Sequence, residues 1–277
     1  MDTCTITIAG CFQQGKSTLV NCLLGEKFAE TGNGLRTTAC CTMYKYGEKK
    51  EKFLLTGDGK RFPPPEEQKN YHPEDRMVVT LPHPLLKNVT IIDTPGADAS
   101  MEDDLSAVNA IQQSDAVLLL LAESALKETD QTILHECRNN GKKLIVLFNC
   151  KNQLIWHPEQ NKHIFEVIEH QLINTGFHDV LIPIAGKKVF PCNLLWAWNG
   201  ITGKVDKKTK GLYDELDTPE RCLEASGFKE IRNAVDQIYR TMIWHILTHL
   251  DQEVDRLITR FENQMNKIIQ ESRKVVR

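Results

Sequence analysis

The sequence predicts an α/β domain built on a mostly parallel sheet with helices over both faces, followed by a C-terminal helical segment. Three observations carry that expectation. Strands alternate with helical stretches, and two of the strands, 116–122 (AVLLLLA) and 143–148 (KLIVLF), are almost wholly apolar, as strands buried on both faces are. Residues 10–17, GCFQQGKS, fit G-x-x-x-x-G-K-[ST] at a junction from strand to helix. From Phe228 the apolar periodicity becomes helical and stays so to the end.

Each element has its own signal. Residues 3–9 (TCTITIA) alternate and are β-branched, so they read as a strand, and 18–24 (TLVNCLL) read as the first turns of a helix. Residues 29–38 (AETGNGLRTT) are rich in Gly, Asn and Thr and read as an irregular loop. Two strands, 40–46 and 52–56, are joined by Gly47-Glu48-Lys49-Lys50, with a tight turn at Asp58-Gly59. The polar excursion from the triple proline at 63–65 to about His83 reads as surface loop with at most a short helix. Residues 88–92 (NVTII) form a short buried strand ending in Asp93-Thr94-Pro95-Gly96. Helices are expected over 101–113, over 129–139 with an Asn140-Gly141 cap, and over 163–174 ended by Gly176, with extended chain at 180–184 and 189–191. There is no internal repeat. Residues 199–217, with the run KVDKKTKG, read as loop. In the last segment Ile243, Leu247, Leu250, Val254, Leu257, Phe261, Met265 and Ile268 step by threes and fours, a seam of coiled-coil or bundle type. The expected division is a first domain over 1–200, a linker over 201–226 and a helical segment over 227–277.

Whole-chain quantities exclude several classes. Thirty-four Lys and Arg against 37 Asp and Glu give a net charge of −3, which makes no electrostatic case for nucleic acid. Nine cysteines, an odd number with no C-x-x-C spacing, argue against a disulfide framework or a structural zinc site and for a reducing, cytoplasmic setting. Most lie in apolar runs, where a small buried hydrophobe is the simple role. The N-terminus enters a strand almost at once, so no signal peptide is expected, and the longest apolar run is too short to span a bilayer.

The chemistry sits in the glycine-containing junction. Glycines let the backbone wrap phosphate oxygens, amides at a helix start point at the anion, Lys16 neutralises the outer phosphates, and Ser17 would hold Mg²⁺ through its hydroxyl. Gly10, Gln14, Gly15, Lys16, Ser17 and Thr18 are therefore the candidate phosphate-binding residues for a nucleoside triphosphate. Asp93, at a strand end, can reach the same Mg²⁺, and Gly96 can bring an N–H to the γ-phosphate. Thr37 and Thr38 lie in the loop between the two motifs. One of their hydroxyls would complete the Mg²⁺ shell and order that loop with triphosphate.

With these motifs in this order, the chain resembles the Ras-like GTPase class, and more finely the bacterial dynamin-like proteins. The finer match rests on GCFQQGKSTLVNCLLG and on threonines that run into a strand and hairpin, TTACCTMYKYGEKKEKFLLTGDGK, and it covers about residues 3–200. The resemblance implies a P-loop GTPase domain of three layers and a helical bundle after it. It implies hydrolysis of GTP to GDP with Mg²⁺, self-association through the GTPase face and helical segment, and peripheral contact with membranes being remodelled. Lys16 would hold the β- and γ-phosphates. Thr38, or in second place Thr37, would be the switch threonine, sharing Mg²⁺ with Ser17 and Asp93. Gln13 falls where dynamin-like proteins carry a polar residue that organises the transition state.

Two departures matter. Ala97 stands where Ras-like switches carry a water-orienting Gln, so turnover would fall to Gln13, the threonines or backbone groups. At the base-reading end the sequence is Asn149-Cys150-Lys151-Asn152, with Asn152 in place of the usual carboxylate, so the charge-assisted bond to guanine is lost. Guanine preference would weaken, or the base would be read from Cys192-Asn193. The tryptophans near this end, Trp156, Trp196 and Trp198, would stack on a base or, more simply, pack the domain. Two alternatives stand beside a GTPase: a nucleotide-gated assembly module with negligible hydrolysis, and a relative that uses ATP.

Overall fold

In the computed structural model, residues 3–31, 40–65, 71–96, 101–123, 125–150, 158–177, 179–205 and 216–275 are described. Their strands are β1 (Cys4–Ala9), β2 (Cys41–Tyr46), β3 (Glu51–Leu55), β4 (Arg61–Phe62), β5 (Arg76–Leu81), β6 (Val89–Asp93), β7 (Ala116–Leu121), β8 (Lys143–Asn149) and β9 (Val189–Cys192). They form one sheet in the order β4-β3-β5-β2-β6-β1-β7-β8-β9. From β6 to β9 all neighbours are parallel. Antiparallel pairing enters where β2 meets β6 and where β3 meets β5 and β4, while β2 and β5 run parallel. The expected α/β architecture with a mostly parallel sheet is what the chain adopts.

The helices are α1 (Lys16–Leu24), α2 (Met101–Gln112), α3 (Glu128–Asn139), α4 (Pro158–Asn174), α5 (Leu194–Thr202), α6 (Pro219–Ala225) and α7 (Phe228–Val275). Alternate residues of each strand feed different layers. Val117 and Leu119 of β7 pack in one core with Ile111 of α2, Ile133 of α3 and Ile168 of α4. Leu118 and Leu120, of the other parity, are equally buried, and Leu120 lies toward Leu194 and Gly15, on the side where α1 meets α5. That double burial is why β7 is apolar throughout. Each fully buried leucine there is worth about 1.5–3 kcal/mol over an exposed one.

Several expectations are corrected. The excursion from 63 to 83 contains β5, RMVVTL, an interior strand of the sheet. The stretch 180–184 is no full strand: Leu181 forms an isolated parallel bridge to Leu144 of β8, and Ile184 bridges only to nearby Lys187. Helix α4 starts at Pro158 rather than 163. The stretch expected as linker carries α6, whose Cys222 packs with Leu216 and Trp196 in a satellite core over α5. All nine cysteines are buried and none is in a disulfide.

The chain divides into two units, Met1–Val235 and Asp236–Arg277. In the first, the start of α7 is anchored by Phe228, Ile231 and Val235, all buried. In the second, Val254, Leu257 and Phe261 of the expected seam are 50%, 59% and 64% exposed, and Ile258 beside them is 51% exposed.

Candidate nucleotide site

The loop between β1 and α1 is shaped by two glycines that no other residue can replace. Gly10 has φ 143°, and a Cβ there would strike the side-chain oxygen of Gln14 and the carbonyl oxygen of Leu120. Gly15, the N-cap of α1, has φ 103°, and a Cβ there would lie 2.6 Å from Asn149 Nδ2. No side chain caps α1, so the first amides of this nine-residue helix form an open anion-binding end. Within the loop Gln13 is exposed and left-handed at φ 62°, whereas the Gln14 side chain is turned inward and 3% exposed.

Lys16 is buried, and its ammonium donates to the carbonyls of Gly10 at 3.0 Å and Cys11 at 2.9 Å. Next to it, Ser17 Oγ donates to Asp93 Oδ2 at 2.7 Å, which joins two motifs 76 residues apart. Asp93 ends β6 at 1% exposure, and its Oδ1 has no hydrogen-bond partner. Burial pushes its carboxyl up to about 6, against the opposing pull of the Ser17 hydrogen bond and the Lys16 charge. A buried carboxylate oxygen with nothing to bind, beside a serine hydroxyl, is a hard oxygen pair that fits Mg²⁺. Phosphate oxygens and water would supply its other ligands. Thr94 fixes the strand end by donating from N at 3.3 Å and from Oγ1 at 3.0 Å to Ile8 O. Beyond it Gly96 lies against the phosphate loop, since a Cβ there would be 2.7 Å from Phe12 Cα.

The structure thus brings together Gly10, Gln14, Gly15, Lys16, Ser17, Asp93 and Gly96, with Thr18 half-buried in the first turn of α1. Thr37, Thr38, Ala97, Lys151, Asn152 and Trp156 lie outside the described residues. Of the remaining base-side candidates, Asn149, Asn193, Cys192 and Trp196 are engaged within the protein, and Trp198 is half-buried on α5. Asn149 Nδ2 donates to Gln14 O at 2.8 Å, and its Oδ1 accepts from Leu194 N at 3.3 Å, so this amide staples the phosphate loop to the start of α5. Asn193 Nδ2 donates to Cys150 O at 3.1 Å, while its Oδ1 accepts from Trp196 N at 3.1 Å as the N-cap of α5. Cys192 is buried, with its thiol held well above the usual range by that burial. Trp196 belongs to the satellite core. Gln14, expected at the phosphates, offers its main chain to Asn149 and keeps its side chain behind the loop.

Sequence reasoning passed over Cys11 and Asp130. Cys11 Sγ donates to Asp130 Oδ1 at 3.4 Å, and Asp130 Oδ2 accepts from Lys127 N at 3.1 Å in the first turn of α3. The acid three residues into a helix start was a legible capping signal, but nothing in the sequence linked it to Cys11.

Comparison with known proteins agrees with this geometry. The sequence profile described as the dynamin family matches residues 6–150. A protein named probable transmembrane GTPase FZO-like, chloroplastic, from Arabidopsis thaliana, is 26% identical over 195 residues, covering 68% of this chain and 20% of that protein. Dynamin-like protein 2 of Campylobacter jejuni is 29% identical over 161 residues, 54% of this chain and 26% of that one. The chain therefore spans about a fifth to a quarter of the length of these relatives. Among solved structures, one described as an oligomerised bacterial dynamin pair for long-range sensing and tethering of membranes shares the fold. It superposes with a TM-score of 0.58 at 18% identity, over 98% of this chain and 45% of that one.

Proposed function

Because the chain belongs to the dynamin family and carries its P-loop GTPase domain, we propose that it hydrolyses GTP to GDP and phosphate with Mg²⁺. We further propose that turnover is coupled to self-association, at a cytoplasmic site in peripheral contact with membrane. The observation that carries the enzymatic part is the Ser17–Asp93 hydrogen bond beside Lys16, with Asp93 Oδ1 left as an open acceptor.

In this reading Lys16 exchanges its two carbonyl acceptors for β- and γ-phosphate oxygens, and the first amides of α1 receive the remaining phosphate charge. Ser17 Oγ and Asp93 would hold the cation, directly or through water. When bound, Mg²⁺ neutralises charge developing between the β- and γ-phosphates. Gly96, pressed against Phe12, donates its N–H toward the γ-phosphate, so the segment after it registers whether that phosphate is present. Gln13, exposed at the mouth of the loop, orients water or offsets charge in the transition state. Thr38, or failing it Thr37, orders the preceding loop over the cation. Guanine is the favoured base on the family's precedent. We assign base discrimination to Lys151 and Asn152, a reading supported by the internal bonds that occupy Asn149 and Asn193. No described helix is long and apolar enough to cross a membrane, and the membrane contact rests on relatives whose names or structures speak of membranes.

Competition of GTP, ATP and XTP for one labelled nucleotide tests the base. GTP should displace the label best, and equal displacement by all three would refute guanine specificity. Phosphate release at low and high protein concentration tests catalysis. Lys16→Ala should abolish triphosphate binding, and wild-type release no faster than this variant would leave the second reading, a nucleotide-gated assembly module, which Ala97 favours.

A further inference from the structure

We propose that Cys11 and Asp130 form a positioning pair that ties the outer end of the phosphate loop to the first turn of α3. This rests on the GTPase reading of the same loop. The pair belongs to a continuous polar path. Lys16 Nζ donates to the carbonyl of Cys11 at 2.9 Å, Cys11 Sγ donates to Asp130 Oδ1 at 3.4 Å, and Asp130 Oδ2 accepts from Lys127 N at 3.1 Å. Cys11 is 2% exposed and Asp130 1%, so the path is shielded from competing water.

The chemistry of each member fits the role. A buried carboxylate at the start of a helix is favoured by the helix dipole and by the amide it accepts from. It also prefers a second donor, and the thiol supplies one from a chain segment 119 residues away. The thiol therefore sets where Cys11 sits, and through its carbonyl it sets where Lys16 waits. The next residues, Phe12 and Gln13, follow directly. Phe12 is the residue against which Gly96 packs, and Gln13 is the exposed left-handed residue at the mouth of the loop. The helix-side end of the loop is held instead by Asn149, whose Nδ2 donates to the carbonyl of Gln14 just before Gly15. Cys11 and Asp130 thus act on the γ-phosphate end, and Asn149 on the other. They are positioning residues, since both side chains are buried and bonded to each other.

The test compares wild type, Cys11→Ala, Cys11→Ser, Asp130→Asn and the double variant Cys11→Ala/Asp130→Asn, each as the full chain. Three quantities are read: GDP affinity, the affinity ratio of a non-hydrolysable GTP analogue to GDP, and kcat. Cys11→Ala should lower kcat roughly tenfold, equivalent to about 1.4 kcal/mol of transition-state stabilisation, and lower the affinity ratio several-fold, with GDP affinity unchanged. Cys11→Ser should restore both, because a hydroxyl donates to the same carboxylate. The double variant should be no worse than the poorer single variant, as expected for residues acting as one unit. A purely structural role predicts a fall in GDP affinity and melting temperature together, with no rescue of kcat by serine, and that result overturns the proposal. So does a Cys11→Ala protein with wild-type kcat and affinity ratio. If wild type itself does not turn over, the hydrolysis reading fails while the affinity ratio still decides this one.

Discussion

At Asp93 the demands of folding and of function oppose each other. Its carboxyl is buried without full hydrogen bonding, and burial pushes its pKa in the folded protein up to about 6, from 3.8 for an ordinary aspartate. Between those values the folded protein binds more protons than the unfolded chain, so the stability of the nucleotide-free protein falls as pH rises from about 4 to about 6 and then levels. Asp93→Asn removes the buried charge. The nucleotide-free variant should melt above wild type at pH 7.5 and lose most of that pH dependence. It should also lose the rise in Tm that Mg²⁺ with nucleotide gives wild type. Differential scanning fluorimetry from pH 4.5 to 8 checks both, and coincident curves for the two proteins would refute the assignment. Lys16, Ser17 and Asp93 were legible in the sequence because strand, turn and helix fix where each side chain falls. Asn149 and Asn193 were not. An amide serves equally as a ligand contact or as a staple between loops, and only the partners Gln14 O and Cys150 O tell the two apart.

Among the elements, the crossing of α5 and α6 is the tightest contact with a simple test. A Cβ on Gly200 would lie 2.5 Å from Leu223 Cβ and 2.7 Å from Pro219 O, neither of them a movable side-chain end. Gly200→Ala should therefore destabilise the first unit by about 1–3 kcal/mol, the usual cost of overpacking. A lower denaturation midpoint at unchanged slope would show it, and an unchanged midpoint would mean the helices part freely. The sequence held a signal for α6, since Thr218-Pro219 is an N-cap followed by proline at the first helical position, and Thr218 Oγ1 does accept from Arg221 N. The lysine-rich run just before it made the whole stretch look like loop. β5 escaped for a different reason. Its unbroken apolar run is only Met77, Val78 and Val79, behind a charged residue and cut off from Leu81 by Thr80, and burial of Arg76 under a 2.7 Å bond to Gln113 reverses the rule that charge marks the surface. The fully apolar strands β7 and β8 allowed no such ambiguity.

For the whole molecule, the two units invite separation. We expect a chain ending at Val235 to keep the GDP affinity of the full chain, because the phosphate loop, Asp93 and their supports lie in the first unit. We expect its self-association, followed by sedimentation, to weaken with loss of the exposed Val254, Leu257 and Phe261. A truncated chain that binds no nucleotide would place part of the site's support beyond Val235. The burial of every cysteine has a practical consequence of another kind. Burial pushes the thiols of Cys4, Cys22, Cys41, Cys137 and Cys150 up to about 12, so almost none of each is thiolate at neutral pH. The native protein is thus a quiet background for maleimide labelling. A reporter placed by Asn139→Cys, at an exposed position in the last turn of α3, would carry the dye alone. Any slower labelling at the other nine would time the excursions in which this fold opens.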